Sequence, residues 1–199
     1  MTPTRLRSGG EGVAIRYTTA VCSIGRVLVA ATDVGICAIA FAGSDSEAVA
    51  DLRKRFPRAQ LTDDKKPSGW LAQAVAYVLS QMTEHPMAAT FPLDVRATAF
   101  QQRVWKALQQ IPRGETRSYS DVARDLGRPS AVRAVAAAIG SNPLALAIPC
   151  HRVIGLDGTL TGYRWGLDRK RKLLQTEGTD TVTRARQKRV TPQAATRQP

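Results

Sequence analysis

The sequence predicts an α+β chain built in two parts, and three observations predict it. The runs "VAIRYTTA", "GRVLVAAT" and "GICAIAF" in residues 13–41 are short, apolar and rich in β-branched residues, with glycine or "DVG" between them. After residue 98 strand-like runs become scarce and helical spacing takes over. Between the two parts, "HPMAATFPLDVRA" is interrupted by prolines and reads as connecting chain.

Taken in order, residues 1–12 are polar and glycine-rich and are expected to be disordered. The three strand runs suggest an antiparallel meander. "DSEAVADLRKRF" (45–56) predicts a helix begun by Ser44 and stopped at Pro57. A polar link at 58–68 follows. "GWLAQAVAYVLSQM" predicts a second helix with Trp70, Ala74, Tyr77 and Val78 on its core side. "TAFQQRVWKALQQI" (98–111) is amphipathic, with Phe100, Val104, Leu108 and Ile111 on one face, Thr98 as N-cap and Pro112 after its end. Residues 118–143 read as a short helix, a turn at Gly127-Arg128-Pro129 and a second helix ending at Gly140, a helix-turn-helix pattern. "LDGT" predicts a hairpin turn, "LDRKRKLLQTEG" a last helix, and the final residues a basic, disordered tail that adds salt-sensitive affinity for nucleic acid.

Composition narrows the function classes. The 199 residues suit one domain or two small ones, and 43% hydrophobic content is enough for a core. Lys and Arg outnumber Asp and Glu by 29 to 16, for a net charge of +13, which points to a polyanionic partner, nucleic acid ahead of membrane. Three cysteines are too few and too odd for a disulfide framework and suit a reducing compartment. "MTPTRLRSGGEG" has no apolar run after its arginines, so no secretory signal is expected, and no run approaches a membrane span. A soluble, intracellular and cytoplasmic protein is expected.

The chemistry concentrates in "IPCHRV" (148–153), where one of three cysteines stands beside one of two histidines. A thiol with a pKa of about 8.5 needs a base or a positive field to become a nucleophile. In an extended strand Cys150 and His151 would face opposite ways, so pairing them requires a tight turn, which Pro149 helps set, or a bridging water. A histidine base needs a carboxylate on its other nitrogen. Asp157, Asp168 and Glu177 are all candidates, and spacing does not choose between them. Cys22 and Cys37 lie in strand-like runs and read as core. With Cys22, Cys37, His85 and Cys150 so far apart, and no close pair among them, no metal site is expected.

Together "TAFQQRVWKALQQIPRGETRSYSDVA", "RAVAAAIGSNP", "IPCHRVIG" and "DGTLTGYRWGLDRKRKLLQTEG" resemble the methylated-DNA–protein-cysteine methyltransferases, which remove alkyl groups from O6 of guanine. "IRYTTAVCSIGRVLVAATDVGICAIAF" resembles the N-terminal subdomain of their Ada-type branch, so the likeness covers residues 13–178. It implies a ribonuclease-H-like α/β subdomain (13–90), a winged-helix-like subdomain with a helix-turn-helix (91–178) and a basic tail (179–199). It also implies that Cys150 accepts the alkyl group, His151 activates it through a water, Glu177 orients His151, and Asn142 holds the turn before the active-site strand. Tyr119 would sit at the pocket mouth, rotating the nucleotide and bonding the base. Arg133 would enter the stack where the flipped guanine was, and Ile139, Val153, Tyr163 and Arg164 would form pocket wall, Arg164 through its backbone N–H.

The partner implied is double-stranded DNA carrying O6-methylguanine or O4-methylthymine, entered from the minor groove with base flipping, by a monomer that needs no cofactor. The small side chains Ala131, Ala134, Ala136, Ala137 and Ala138 beside Arg133 suit a slim helix in a narrow groove, although alanine is also simply a good helix former. Ada-type regulators carry further N-terminal modules and the likeness begins at the methyltransferase part, which leaves a role in gene regulation open. Some relatives hold zinc in the N-terminal subdomain; Thr32 and Cys37 stand near where a cysteine and a histidine would be needed. The competing readings are a non-catalytic DNA-binding sensor of alkylation and a cysteine hydrolase on Cys150, His151 and Glu177.

Overall fold

The computed structural model describes residues 10–179. The expected disorder of residues 1–9 and of the basic tail from 180 lies outside the described residues. Residues 10–12, assigned to the disordered terminus from sequence, instead form a turn: Gly10 is buried and its carbonyl accepts from the Val13 N–H at 3.0 Å.

Strands β1 (Ala14–Cys22), β2 (Gly25–Ala31) and β3 (Ile36–Ala42) form the expected antiparallel meander. Helix α1 (Asp45–Arg55) starts at Ser44, whose side chain accepts from the Glu47 N–H. Then comes β4 (Gln60–Asp63), which pairs parallel to β1 and completes the order β3-β2-β1-β4. Sequence reading took this stretch as a polar link. "QLTD" is a four-residue edge strand, largely exposed, and has no alternating apolar face to betray it.

β2 and β3 read as continuous apolar runs because both faces of the sheet are covered. Leu28 and Ala30 face α1 and its Ala48 and Leu52. Val27 and Val29 face the other way, onto Leu71, Ala74 and Val78 of α2 (Gly69–Ser80). Trp70, expected on the core side of α2, is 39% exposed. The face centred on Leu71, Ala74 and Val78 excludes it, since the next residue round a helix is turned by about 100°.

The core on the α2 side does not stop at the subdomain boundary. It continues into Val104, Trp105 and Leu108 of α3 (Ala99–Gln109), Val122 of α4 (Tyr119–Asp125), Val135 and Ile139 of α5 (Val132–Gly140), and Leu173 of α6 (Leu167–Thr176). Thr98 caps α3 in a capping box with Gln101. Sequence spacing missed Trp105, whose indole N–H donates to the Ala138 carbonyl at 2.8 Å and ties α3 to α5. Gly127, at φ 70°, makes the turn between α4 and α5.

The outer edge of β3 is covered by chain from the second part. Ile36 bonds Pro92 and Asp94, and Ile39 bonds Pro143 and Ala145, all backbone to backbone at 2.8–3.1 Å. Gly35 permits the first contact, since a Cβ there would stand 2.5 Å from the Pro92 carbonyl oxygen. The segment that leads from α5 toward Cys150 is therefore anchored to the sheet. A short parallel pair, β5 (Arg117–Ser118) with β6 (Val153–Ile154), brings the start of α4 beside the residues that follow Cys150. The expected "LDGT" hairpin is a turn without a second strand: Gly155 N–H bonds the Thr159 carbonyl, and the chain beyond runs irregularly to α6.

Candidate active site

Cys150 is not in a strand. Pro149 leads into one turn of 3-10 helix, Cys150–Arg152, so adjacent side chains need not face opposite ways. Both Cys150 and His151 are buried. Asn142, 1% exposed, holds the turns before them. Its Nδ2 donates to the Ile148 carbonyl at 2.8 Å and to Cys150 Sγ at 3.1 Å, while its Oδ1 accepts from the Leu144 N–H at 2.9 Å. One side chain thus both shapes the irregular backbone and touches the sulfur.

His151 Nε2 lies 3.0 Å from Glu177 Oε1, at the end of α6. Of the three carboxylates open from spacing, Glu177 is the one in contact with the imidazole. His151 Nδ1 is buried and has no protein partner among the described residues. Burial lowers the imidazole pKa against the opposing pull of Glu177, so the ring is neutral at pH 7. Burial alone would raise the Glu177 pKa, but hydrogen bonds and charge from His151 and Arg152 outweigh it and hold the carboxyl at about 2. Burial pushes the Cys150 thiol up to about 11; the Asn142 hydrogen bond and the Lys170 ammonium offset only part of this. The resting state is a neutral thiol beside a neutral imidazole.

Two functional-site residues were missed from sequence. Arg152 bonds Glu177 through Nε at 2.9 Å and Nη2 at 2.7 Å, and its Nη1 reaches the Ile111 carbonyl at 2.7 Å. This bidentate fork holds the carboxylate that meets His151. Lys170 is wholly buried, with Nζ on the carbonyls of Val153 at 2.5 Å and Thr161 at 2.6 Å. Burial lowers its pKa to about 8. Its spacing from Leu173 and Leu174 put it on the inner face of α6, and that was the available signal.

The remaining expected site residues divide. Tyr119 Oη donates to the Thr161 carbonyl at 3.2 Å, beside the Lys170 contact, and burial raises its pKa. Tyr163 Oη is buried without a partner among the described residues, and burial pushes its pKa well up. Ile139 and Val153 are buried. The Arg164 side chain points to α1, 3.4 Å from Asp51. Arg133 stands apart on the outer face of α5, exposed and without an ion pair among the described residues, beside exposed Ala134, Ala136 and Ala137. Cys37 is core, while Cys22 is only half-buried, its thiol on the Gly25 carbonyl. Among the described residues no group of three or more His, Cys, Asp or Glu side chains could hold a metal ion, and no helix is long and apolar enough to cross a membrane.

Comparison with known proteins matches both parts of the chain. Residues 15–95 match the ribonuclease-like domain of 6-O-methylguanine DNA methyltransferase, and residues 99–179 match its DNA binding domain. The chain is 48% identical to the bifunctional transcriptional activator/DNA repair enzyme Ada of Escherichia coli, over 89% of this chain and 49% of that protein. It is 44% identical to the inducible methylated-DNA–protein-cysteine methyltransferase of Bacillus subtilis, over 70% of this chain and 78% of that one. The chain therefore spans about half the length of its Ada relatives. Among solved structures, Mycobacterium tuberculosis OGT in complex with DNA superposes with a TM-score of 0.68 and 37% identity, covering 84% of this chain and 98% of that one.

Proposed function

The chain belongs to the methylated-DNA–protein-cysteine methyltransferase family, and from that premise we propose that it repairs DNA by moving the methyl group of O6-methylguanine onto its own Cys150, once per molecule. O4-methylthymine is the second substrate of the reading, and the site of action is chromosomal DNA in the cytoplasm. The observation that carries it is the buried line Asn142–Cys150 and His151–Glu177–Arg152, with His151 Nδ1 left over.

With Nε2 committed to Glu177, Nδ1 is the nitrogen that takes the thiol proton, through a water. Glu177, kept ionised by Arg152, stabilises the imidazolium that forms. The thiolate attacks the methyl carbon; the S–C bond forms, the C–O6 bond breaks, and the electron pair leaves on guanine. The guanine anion regains the proton that the thiol lost. Hydroxyl and N–H donors from Tyr119 and the Arg164 backbone stabilise that anion while it forms. The product thioether has no route to hydrolysis in this site, so the protein is consumed.

A base inside a duplex hides O6 and must be flipped out, at a cost of a few kcal/mol. Exposed Arg133 on a helix face of alanines is suited to the narrow groove and to filling the emptied stack. The net charge of +13 favours association with the phosphate backbone.

The test is incubation with a duplex containing one O6-methylguanine, read by intact mass and peptide mapping. The protein gains one methylene, on Cys150, and the DNA loses it. Unchanged protein mass with DNA still methylated would remove the proposal, and repeated turnover on an ester or amide would favour the hydrolase.

A further inference from the structure

In the methyl-transfer reading residues 162–166 carry Tyr163 and the Arg164 N–H to the pocket wall, yet they belong to no helix or strand. Gly162 and Gly166, at φ 48° and 96°, leave the segment ample conformational freedom. Something outside the segment must fix it, and Lys170 reaches only its start, bonding Gly162 and the preceding Thr161.

The rest leans on the N-terminal sheet. Trp165 is buried, its ring edge-on to Phe41 of β3 at 6.3 Å and to Tyr163 at 5.3 Å. Arg169, in the first turns of α6, reaches across the boundary between the two parts of the chain. Its Nη2 donates to the Ala42 carbonyl at 2.7 Å, its Nε to the Ile24 carbonyl at 3.1 Å and its Nη1 to the Trp165 carbonyl at 2.9 Å. Ala42 ends β3 and Ile24 lies in the β1–β2 turn. That turn admits the guanidinium closely: Gly25 has φ 121°, and a Cβ there would stand 3.3 Å from Arg169 Nη2. The other link, Arg164 to Asp51, is an exposed pair at 3.4 Å and contributes little.

We propose that Arg169 is a positioning residue for methyl transfer: it ties the Tyr163–Trp165 segment to the ends of the N-terminal strands, so that the sheet subdomain holds one wall of the pocket. This rests on the methyl-transfer reading above. A planar fork can satisfy three carbonyls in three directions and hold them in register, which a lysine cannot. The Arg164 N–H and the Tyr163 ring then meet the leaving guanine in a fixed place, and a displacement of the order of 1 Å there is costly to the rate.

The experiment compares wild type with R169Q and R169K in three measurements: single-turnover methyl uptake from the duplex, duplex affinity, and methyl uptake from free O6-methylguanine base. The free base needs neither helix docking nor flipping, so it isolates the pocket. R169Q is expected to slow both uptake rates about 10- to 100-fold, with duplex affinity within twofold. R169K is expected to recover little. Rates within twofold of wild type in folded R169Q, or a loss confined to duplex binding, would overturn the proposal. If R169Q is unfolded at the assay temperature, R169K decides, and a wild-type rate for it overturns the proposal. If the wild-type chain takes up no methyl group, the methyl-transfer reading has failed, and this inference with it.

Discussion

The sheet of residues 14–63 and the irregular chain of residues 141–166 are held by different forces. In the sheet, backbone pairs with backbone, and apolar side chains fill both faces. In the irregular chain several carbonyls are met instead by polar side chains: Asn142 on Ile148, Lys170 on Val153 and Thr161, Arg169 on Trp165. Regular pairing tolerates the loss of any one side chain, because the ladder remains. A turn built around a buried amide does not, because the same side chain both satisfies the backbone and places the reactive atom. The two regions should therefore respond differently to mutation: the sheet in stability alone, the irregular chain in stability and rate together.

The largest effect is expected from Cys150→Ala. Methyl uptake should vanish by mass, while the duplex is still bound and the melting temperature moves by only a few degrees. Residual uptake mapped to another residue would mean that the acceptor lies elsewhere. Binding with full biological protection and no transfer would favour the sensor reading.

Next is Glu177→Gln, which removes the charge that orients His151. Transfer should slow by about 10²-fold. The same variant tests the pH dependence. The Glu177 carboxyl titrates at about 2 when folded against 4.5 ordinarily, so its stabilisation is complete above about pH 4.5 and is lost as the pH falls toward 2. His151 has the same sign for a different reason: its folded value lies below the ordinary 6.5, so the unfolded chain takes the proton first and stability falls below that pH. Urea midpoints measured from pH 7 to pH 3 should fall throughout, and the gap between wild type and Glu177→Gln should narrow below pH 4.5. A gap that does not change with pH would mean that the ionised carboxylate is not what holds the site.

Asn142→Ala should cost about 2–4 kcal/mol, because the Leu144 N–H and the Ile148 carbonyl lose their buried partner. It should also slow transfer by about tenfold or more, as the turn bearing Cys150 relaxes. The smallest effect on chemistry is expected at Leu52, on the face of the sheet away from the site. Leu52→Ala should cost about 2–5 kcal/mol in unfolding free energy, yet leave the transfer rate of the folded protein within twofold. A slowed rate there would show that the core under α1 is more tightly coupled to the site than its separation from the α2-side core suggests.

Much of the fold was legible in the sequence because its signals are local. The strand runs, the Ser44 and Thr98 caps, the Gly127 turn and the end of α5 at Gly140 all depend on neighbours within a few residues. β4 was missed because an exposed edge strand need carry no apolar pattern, and Trp70 was misplaced because two adjacent stripes of α2 both read as apolar. In the site, Cys150 and His151 stood out by rarity, and the family likeness selected Glu177 and Asn142. Lys170 lay within a basic run that looked like solvated surface, and Arg152, beside the Cys–His pair, carried no signal of what it would bond.

The sequence by itself determined which residues could do the chemistry and roughly which elements would form, because residue type, periodicity and capping are properties of short stretches. Only the tertiary structure decided which way the two nitrogens of His151 are committed, and that a lysine and two arginines turn inward to hold backbone carbonyls. Those choices join residues as far apart as Ile24 and Arg169. They depend on the closing of the core around irregular chain, where every buried carbonyl must find a donor.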